Sequence, residues 1–252
     1  AAVYLDSQHF VWGIVFVASL IAMYEYLAMG IEDETDRRVS LAIGAGACAL
    51  LYWLDPKFQP ALLAIIFAFV PTALYYLFRF GDLKSVADRL NTSIIAIIYG
   101  GLMFTFIALI KKNTGSTGGD LIVLILMTAW LSDTGGYFAG KYLGKAKLYE
   151  AVSPKKTWAG SIGGVAAVLA GAAVFKELRI PEMPWIDLVL LCGPGAVLGQ
   201  LGDLCESLMK RARGDKDSGS ILPGHGGILD RVDAVLFIAP YFFVYLSVRP
   251  HL

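Results

Sequence analysis

Eight apolar runs, at about residues 10–29, 39–54, 60–78, 93–110, 121–139, 158–175, 185–203 and 232–248, alternate with short connections that hold most of the charge. A helix that crosses the hydrocarbon core of a bilayer needs about 20 such residues, with a range of about 17 to 25. The second run, "VSLAIGAGACALLYWL", is short and rich in Gly and Ala, so it also reads as a half-buried segment. The pattern predicts an all-α integral membrane protein: a polytopic helical bundle of about eight transmembrane helices. Composition strengthens that expectation. Of the 252 residues, 57% are hydrophobic and mean hydropathy is +0.63, whereas soluble domains carry about 45–50% apolar residues.

Charge gives the bundle a direction. The formal net charge is zero, so no global basic field argues for nucleic acid, and none is expected as a partner. Basic connections stay on the cytoplasmic side. Fifteen of the 21 Lys and Arg residues fall in the connections after the first, third, fifth and seventh runs, which are therefore expected in the cytoplasm, with both ends of this chain outside. Cys48, Cys192 and Cys205 lie in or beside apolar runs without CxxC spacing and read as small buried hydrophobes. The chain opens "AAVYLDSQHF", without Met or a basic leader, so no signal peptide is expected at its start and an upstream segment is expected to be missing.

Polar residues inside the runs are lopsided. Asp133, Gln200 and Asp203 lie in the second half, against Glu25 in the first. Residues 1–115 accordingly read as membrane scaffold and 116–252 as the catalytic helices. Asp133 sits in "WLSDTGGYFAGKYLGK"; a carboxylate near bilayer depth costs about 2.5–3.5 kcal/mol on insertion scales and points to function, the plainer reading being a helix end near headgroups. In "SPKKTWAGSIGG", Ser153 suits an N-cap and Pro154 the first helical position, which predicts a helix start there. Lys155 and Lys156 would then occupy the first turn, against the dipole, in an arrangement that suits a phosphate. Lysines that flank a span and meet anionic headgroups are an equally good account.

The densest constellation is "GDLCESLMKRARGDKDSGSILPGHGGILDRVDA", residues 202–234. If the seventh run continues as a helix, Asp203, Glu206, Ser207 and Lys210 share one face at i, i+3, i+4 and i+7. Asp230 and Asp233 repeat the i, i+3 spacing where the eighth run begins. Carboxylates are hard oxygen donors that suit Mg²⁺, which binds through one or two of them together with phosphates and water. Lys210, Arg211, Lys216 and Arg231 would take phosphate charge left over by the metal. His225, in "PGHGG", has no further His or Cys at metal spacing, so zinc is not expected.

At these residues the chain resembles the phosphatidate cytidylyltransferases, or CDP-diacylglycerol synthases. The family pattern of Ser, Lys-Arg, Lys-Asp, His-Gly-Gly and Asp-Arg-x-Asp is met by Ser207, Lys210 and Arg211, Lys216 and Asp217, His225 with Gly226 and Gly227, and Asp230, Arg231 and Asp233. "SDTGGY", "SPKKTW" and the "YEY" around Glu25 resemble further family segments; Ala159 and Cys205 depart from the usual residues. The resemblance implies transfer of the cytidylyl group of CTP to phosphatidate, with Mg²⁺ and two metal sites as an option, and a location in the cell's inner membrane with the active site on the cytoplasmic face. It assigns Asp203 and Asp230 as metal ligands, with Glu206 and Asp233 as ligands or supports. Lys210, Lys216, Arg211 and Arg231 fall to phosphate binding. Lys155 and Lys156, flanked by Ser153 and Thr157, would bind the other phosphate, and Asp133 would complete the polar floor. A homodimer is common in such enzymes, and nothing in the sequence demands one. The competing expectations are a CTP-dependent lipid kinase acting on a polyprenol or diacylglycerol, and a secondary transporter.

Overall fold

The computed structural model describes residues 7 to 79, 81 to 215, 217 to 219 and 226 to 249. Lys216 and His225 therefore lie outside the described residues. The helices are α1 (Gln8–Gly30), α2 (Glu34–Trp53), α3 (Pro60–Phe78), α4 (Leu83–Ile95), α5 (Met103–Thr114), α6 (Gly118–Leu143), α7 (Trp158–Arg179), α8 (Trp185–Arg213) and α9 (Leu229–Val248). A π-helical segment, Ala96–Leu102, joins α4 to α5. One short antiparallel hairpin, β1 (Lys147–Tyr149) and β2 (Ser153–Thr157), sits between α6 and α7.

The architecture is the expected all-α membrane fold. Among the described residues, six helical stretches are long and apolar enough to cross a bilayer. One of them, 83–143, runs for 61 residues and contains two of the expected spans. As a straight helix it would be about 90 Å long, some three times the hydrocarbon core, and the 3₁₀ turn Gly115–Thr117, with Gly115 at φ +56°, interrupts it. α2 does not qualify by composition, because Glu34, Asp36, Arg37 and Arg38 fill its start and Gly and Ala much of the rest.

Burial follows a membrane logic, with small residues inward and large apolar ones outward. On α3 the buried positions are Ala64, Ala68, Thr72 and Tyr76, one stripe at a spacing of four. Leu62, Ile65, Ile66, Phe69 and Val70 face outward. In lipid, helices gain nothing from hiding large apolar groups from each other, so small residues that allow close backbone packing mark the interface.

The chain packs as two compact units. The first holds residues 9–109 and 213–231, the second 110–212 and 232–252 with 1–8. In the first, Asp33 caps α2 by accepting from the Asp36 backbone N–H at 2.9 Å. That hydrogen bond, with Arg79 nearby, holds the Asp33 carboxyl below the usual range. Asp36 is buried and satisfied by Tyr75 Oη at 2.6 Å, Arg79 Nε at 3.1 Å and Arg89 at 2.6 Å, so α2, the end of α3 and α4 are pinned at one point.

In the second unit α6 and α7 meet along glycine and alanine. A Cβ placed on Gly164 would stand 2.7 Å from the Ser132 carbonyl oxygen and 3.0 Å from Gln200 Nε2. Gly164→Ala is therefore expected to force α7 off α6 and cost about 1–3 kcal/mol, as overpacking does. Thermal unfolding in detergent checks this; an unchanged melting temperature would contradict the packing.

Candidate functional site

The expected helix start at Ser153 is not what forms. Residues 153–157 are strand β2, with Ser153 opposite Tyr149 and Thr157 opposite Lys147. The helix begins at Trp158, and its N-cap is Thr157, whose side chain accepts from the Gly160 N–H at 3.1 Å. Pro154, whose fixed φ fits an extended edge as well as a first helical turn, leaves its carbonyl to Lys147 Nζ at 2.5 Å. Lys155 and Lys156 are thus not in a first helical turn. They extend from a strand, where successive side chains alternate in direction, just before the start of α7.

This hairpin closes one side of a cavity of about 330 Å³ in the second unit. Lys155, Lys156 and Thr157 from β2, Asp133 and Tyr137 from α6, Ser161 from α7 and Gln200 from α8 line it. Asp133 lies in the body of α6, not at its end, since the helix continues to Leu143. Gln200 binds the floor together: its Nε2 donates to Ser132 Oγ and the Ser161 carbonyl, both at 3.1 Å, and its Oε1 accepts from Ser161 Oγ at 2.5 Å. Both polar atoms of this half-buried amide are engaged, and it ties α6, α7 and α8 at the level of the cavity. Gln200, Ser132 and Ser161 were not singled out as site residues by the sequence; the polar Gln200 inside an apolar run was the available signal.

α8 does continue through the charged stretch, ending at Arg213. Asp203 lies one turn beyond Gln200 and pairs with Lys156 at 2.6 Å, the two side chains being 29% and 25% exposed. Ser207 Oγ donates to Asp203 at 3.4 Å. Glu206 and Lys210, both buried, pair with each other at 2.9 Å. Lys210 is therefore matched to an acid within its own helix, whereas Arg211 is exposed.

Among the described residues no three His, Cys, Asp or Glu side chains converge as a ready metal cage. The donors still fit a hard cation. Asp203 is within electrostatic reach of both Asp133 and Asp233, and the nearby ammonium of Lys156 balances one of these charges. Mg²⁺ needs one or two carboxylates when phosphates and water complete its shell. Asp233 also accepts from the Ala234 N–H at 2.7 Å.

In the first unit, Asp230 is engaged by backbone. Its carboxylate accepts from the Ser218 N–H at 3.0 and 3.2 Å and from the Gly227 N–H at 2.8 Å. An acid in a first helical turn that reaches back to a preceding N–H is a capping arrangement. Gly226 takes φ +78° beside it, a conformation that favours glycine. Asp217 and Arg231 are exposed on the same segment.

Known proteins supply the class. The model of the family described as the cytidylyltransferase family matches residues 1–249. The phosphatidate cytidylyltransferase of Bacillus subtilis (strain 168) is 35% identical over 247 residues, which cover 93% of this chain and 87% of that one. That of Synechocystis sp. is 31% identical over 265 residues, covering 92% and 89%. That of Staphylococcus aureus (strain COL) is 41% identical over 157 residues, covering 61% and 57%. The family match spans both units, and the long match to the Bacillus subtilis relative agrees with it: this chain belongs to the cytidylyltransferase family.

Proposed function

We propose that this multi-pass membrane protein transfers the cytidylyl group of CTP to phosphatidate, giving CDP-diacylglycerol and pyrophosphate. Membership of the family and the names of its relatives support the reaction. The observation that carries the site is the cavity in which Lys155, Lys156 and Asp133 meet, with Asp203 held on Lys156.

The reaction needs no protein nucleophile. A phosphate oxygen of phosphatidate attacks the α-phosphorus of CTP, the bond from that phosphorus to the α,β-bridging oxygen breaks, and pyrophosphate leaves with the electron pair. Positioning and charge stabilisation lower such barriers. Lys155 and Lys156 bind phosphate oxygens, and Asp203 keeps the Lys156 ammonium in place before substrate arrives. Ser161 and Gln200 hold the floor rigid beneath them. Mg²⁺, when bound, would neutralise charge building up on the phosphates; we assign Asp203 as a ligand in the second unit, with Asp233 as a further ligand or support and Glu206, buried against Lys210, as a support, and Asp230 as a ligand in the first.

One substrate is soluble and the other is a lipid, so the site belongs at the interface. Tyr137 lines the cavity while 62% exposed, and Phe138 and Trp158 are also exposed beside it. Aromatic residues of this kind settle at the headgroup level. The basic connections support the cytoplasmic face of the cell membrane.

Purified protein supplied with CTP, phosphatidate and Mg²⁺ is expected to form CDP-diacylglycerol and pyrophosphate in equal amounts, and a chelator to stop it. Absence of both products from folded protein would refute the reading.

A further inference from the structure

Glu25 lies on α1 and is 3% exposed, far from the charged stretches in sequence. A carboxylate buried among apolar helices is costly unless donors satisfy it. Its donors come from the segment that carries Asp230. Glu25 accepts from the Ile228 N–H at 3.0 Å, from the Leu229 N–H at 2.8 Å, and from Ser218 Oγ at a longer 3.5 Å. The two amides open α9, where helical N–H groups have no partner inside the helix and the dipole favours negative charge. Asp230 holds the neighbouring amides of Ser218 and Gly227. Two carboxylates thus grip residues 218 and 227–229, and Ser218 is common to both. The fit leaves no room for a side chain between them: a Cβ on Gly227 would stand 2.5 Å from Glu25 Oε2. Glu25 itself stands on a packed part of α1, with Met23, Tyr26 and Leu27 buried and Tyr26 against Tyr99 of the π-helical segment at 6.3 Å between ring centroids.

We infer that Glu25 is a positioning residue for the transfer: it fixes the start of α9, and with it the orientation of Asp230 and Arg231, without touching substrate. The inference rests on the reaction proposed above and adds to it a requirement from the half of the chain that reads as scaffold.

Three variants test it, Glu25→Gln, Glu25→Asp and Gly227→Ala, each scored by steady-state kinetics, by melting temperature in detergent and by trypsin cleavage after Arg213, Lys216 or Arg231. Glu25→Gln keeps the shape but turns one acceptor into a donor that faces N–H groups. It is expected to lower kcat by about 10- to 100-fold, as loss of a supporting hydrogen-bond partner does, with KM for phosphatidate unchanged. Trypsin cleavage should speed up by about tenfold, since the segment opens more readily. Glu25→Asp should restore part of the rate, and Gly227→Ala should reproduce the Gln effect from the other side of the contact. Wild-type kcat in Glu25→Gln would overturn the inference, as would unchanged trypsin cleavage. A loss of rate that merely tracked the loss of folded protein, with no recovery in Glu25→Asp, would overturn it too. If the wild-type protein transferred a different group of CTP, the proposed reaction would fall, while the trypsin comparison and the kcat of that other reaction would still decide the role of Glu25.

Discussion

Asp203→Asn is expected to lower turnover by about 10²- to 10³-fold, as when one preorganised charge is removed from a transfer site, and to leave the protein folded. The carboxylate has two tasks on this account. It holds Lys156 at 2.6 Å, and it is the acid closest to a metal role in the second unit, within reach of Asp133 and Asp233. The amide can do neither well. Stability should fall modestly, because the pair is half-buried, at 25% and 29% exposure, and lies between an exposed pair, at about 1 kcal/mol or less, and a fully buried one, whose breakage costs about 3–5 kcal/mol. Lys156→Ala separates the tasks. If Asp203 served Lys156 alone, the double variant would be no worse than either single one; a metal role makes Asp203→Asn the more damaging change and moves the Mg²⁺ concentration needed for half-maximal rate. Wild-type turnover in Asp203→Asn would refute the assignment.

Asp230→Asn is expected to cost about 10²-fold in rate by a different route, again on the scale of a lost transition-state contact. Both carboxylate oxygens accept backbone N–H groups, from Ser218 and Gly227. An amide oxygen at the Oδ2 position still accepts from both N–H groups, but its NH₂ then faces the Ser218 N–H where Oδ1 accepted at 3.2 Å, so a charge-assisted contact becomes a neutral one set against a donor–donor clash, which weakens the cap by about 1–3 kcal/mol. Hydrogen exchange at Ser218 and Gly227 should therefore accelerate in Asp230→Asn and stay at the wild-type rate in Asp203→Asn. Equal exchange in the two variants would contradict the distinction between a capping carboxylate and one that pairs with a lysine.

The apolar runs were enough to locate the long helices, since backbone groups in lipid must be satisfied within their own segment, but not α4, whose polar start, 83–92, reads as part of a connection. The continuation of α8 to Arg213 was also legible, because Asp203 with Ser207 and Glu206 with Lys210 are i, i+4 pairs, a local relation. Three features were not legible for one shared reason. Ser153 and Pro154 satisfy a helix start and a strand edge alike, and what decides is pairing with residues 147–149. Gln200 reads as a stray polar residue until Ser132 and Ser161, on two other helices, are placed around it. Glu25 is separated from its partners at 218, 228 and 229 by some two hundred positions. Local spacing reports what a helix does to itself, whereas these roles are set by which elements pack together.

The reaction and its site are joined most directly by following the phosphorus atoms of CTP. Purified protein is given CTP labelled at the α-phosphorus in one reaction and at the γ-phosphorus in another, with phosphatidate and Mg²⁺, and the lipid is extracted. Label from the α position alone is expected in the lipid, with the γ label recovered entirely as pyrophosphate, and Asp203→Asn should slow the appearance of both by about 10²- to 10³-fold. Lipid carrying the γ label would mean phosphoryl transfer to a lipid, and would contradict the account.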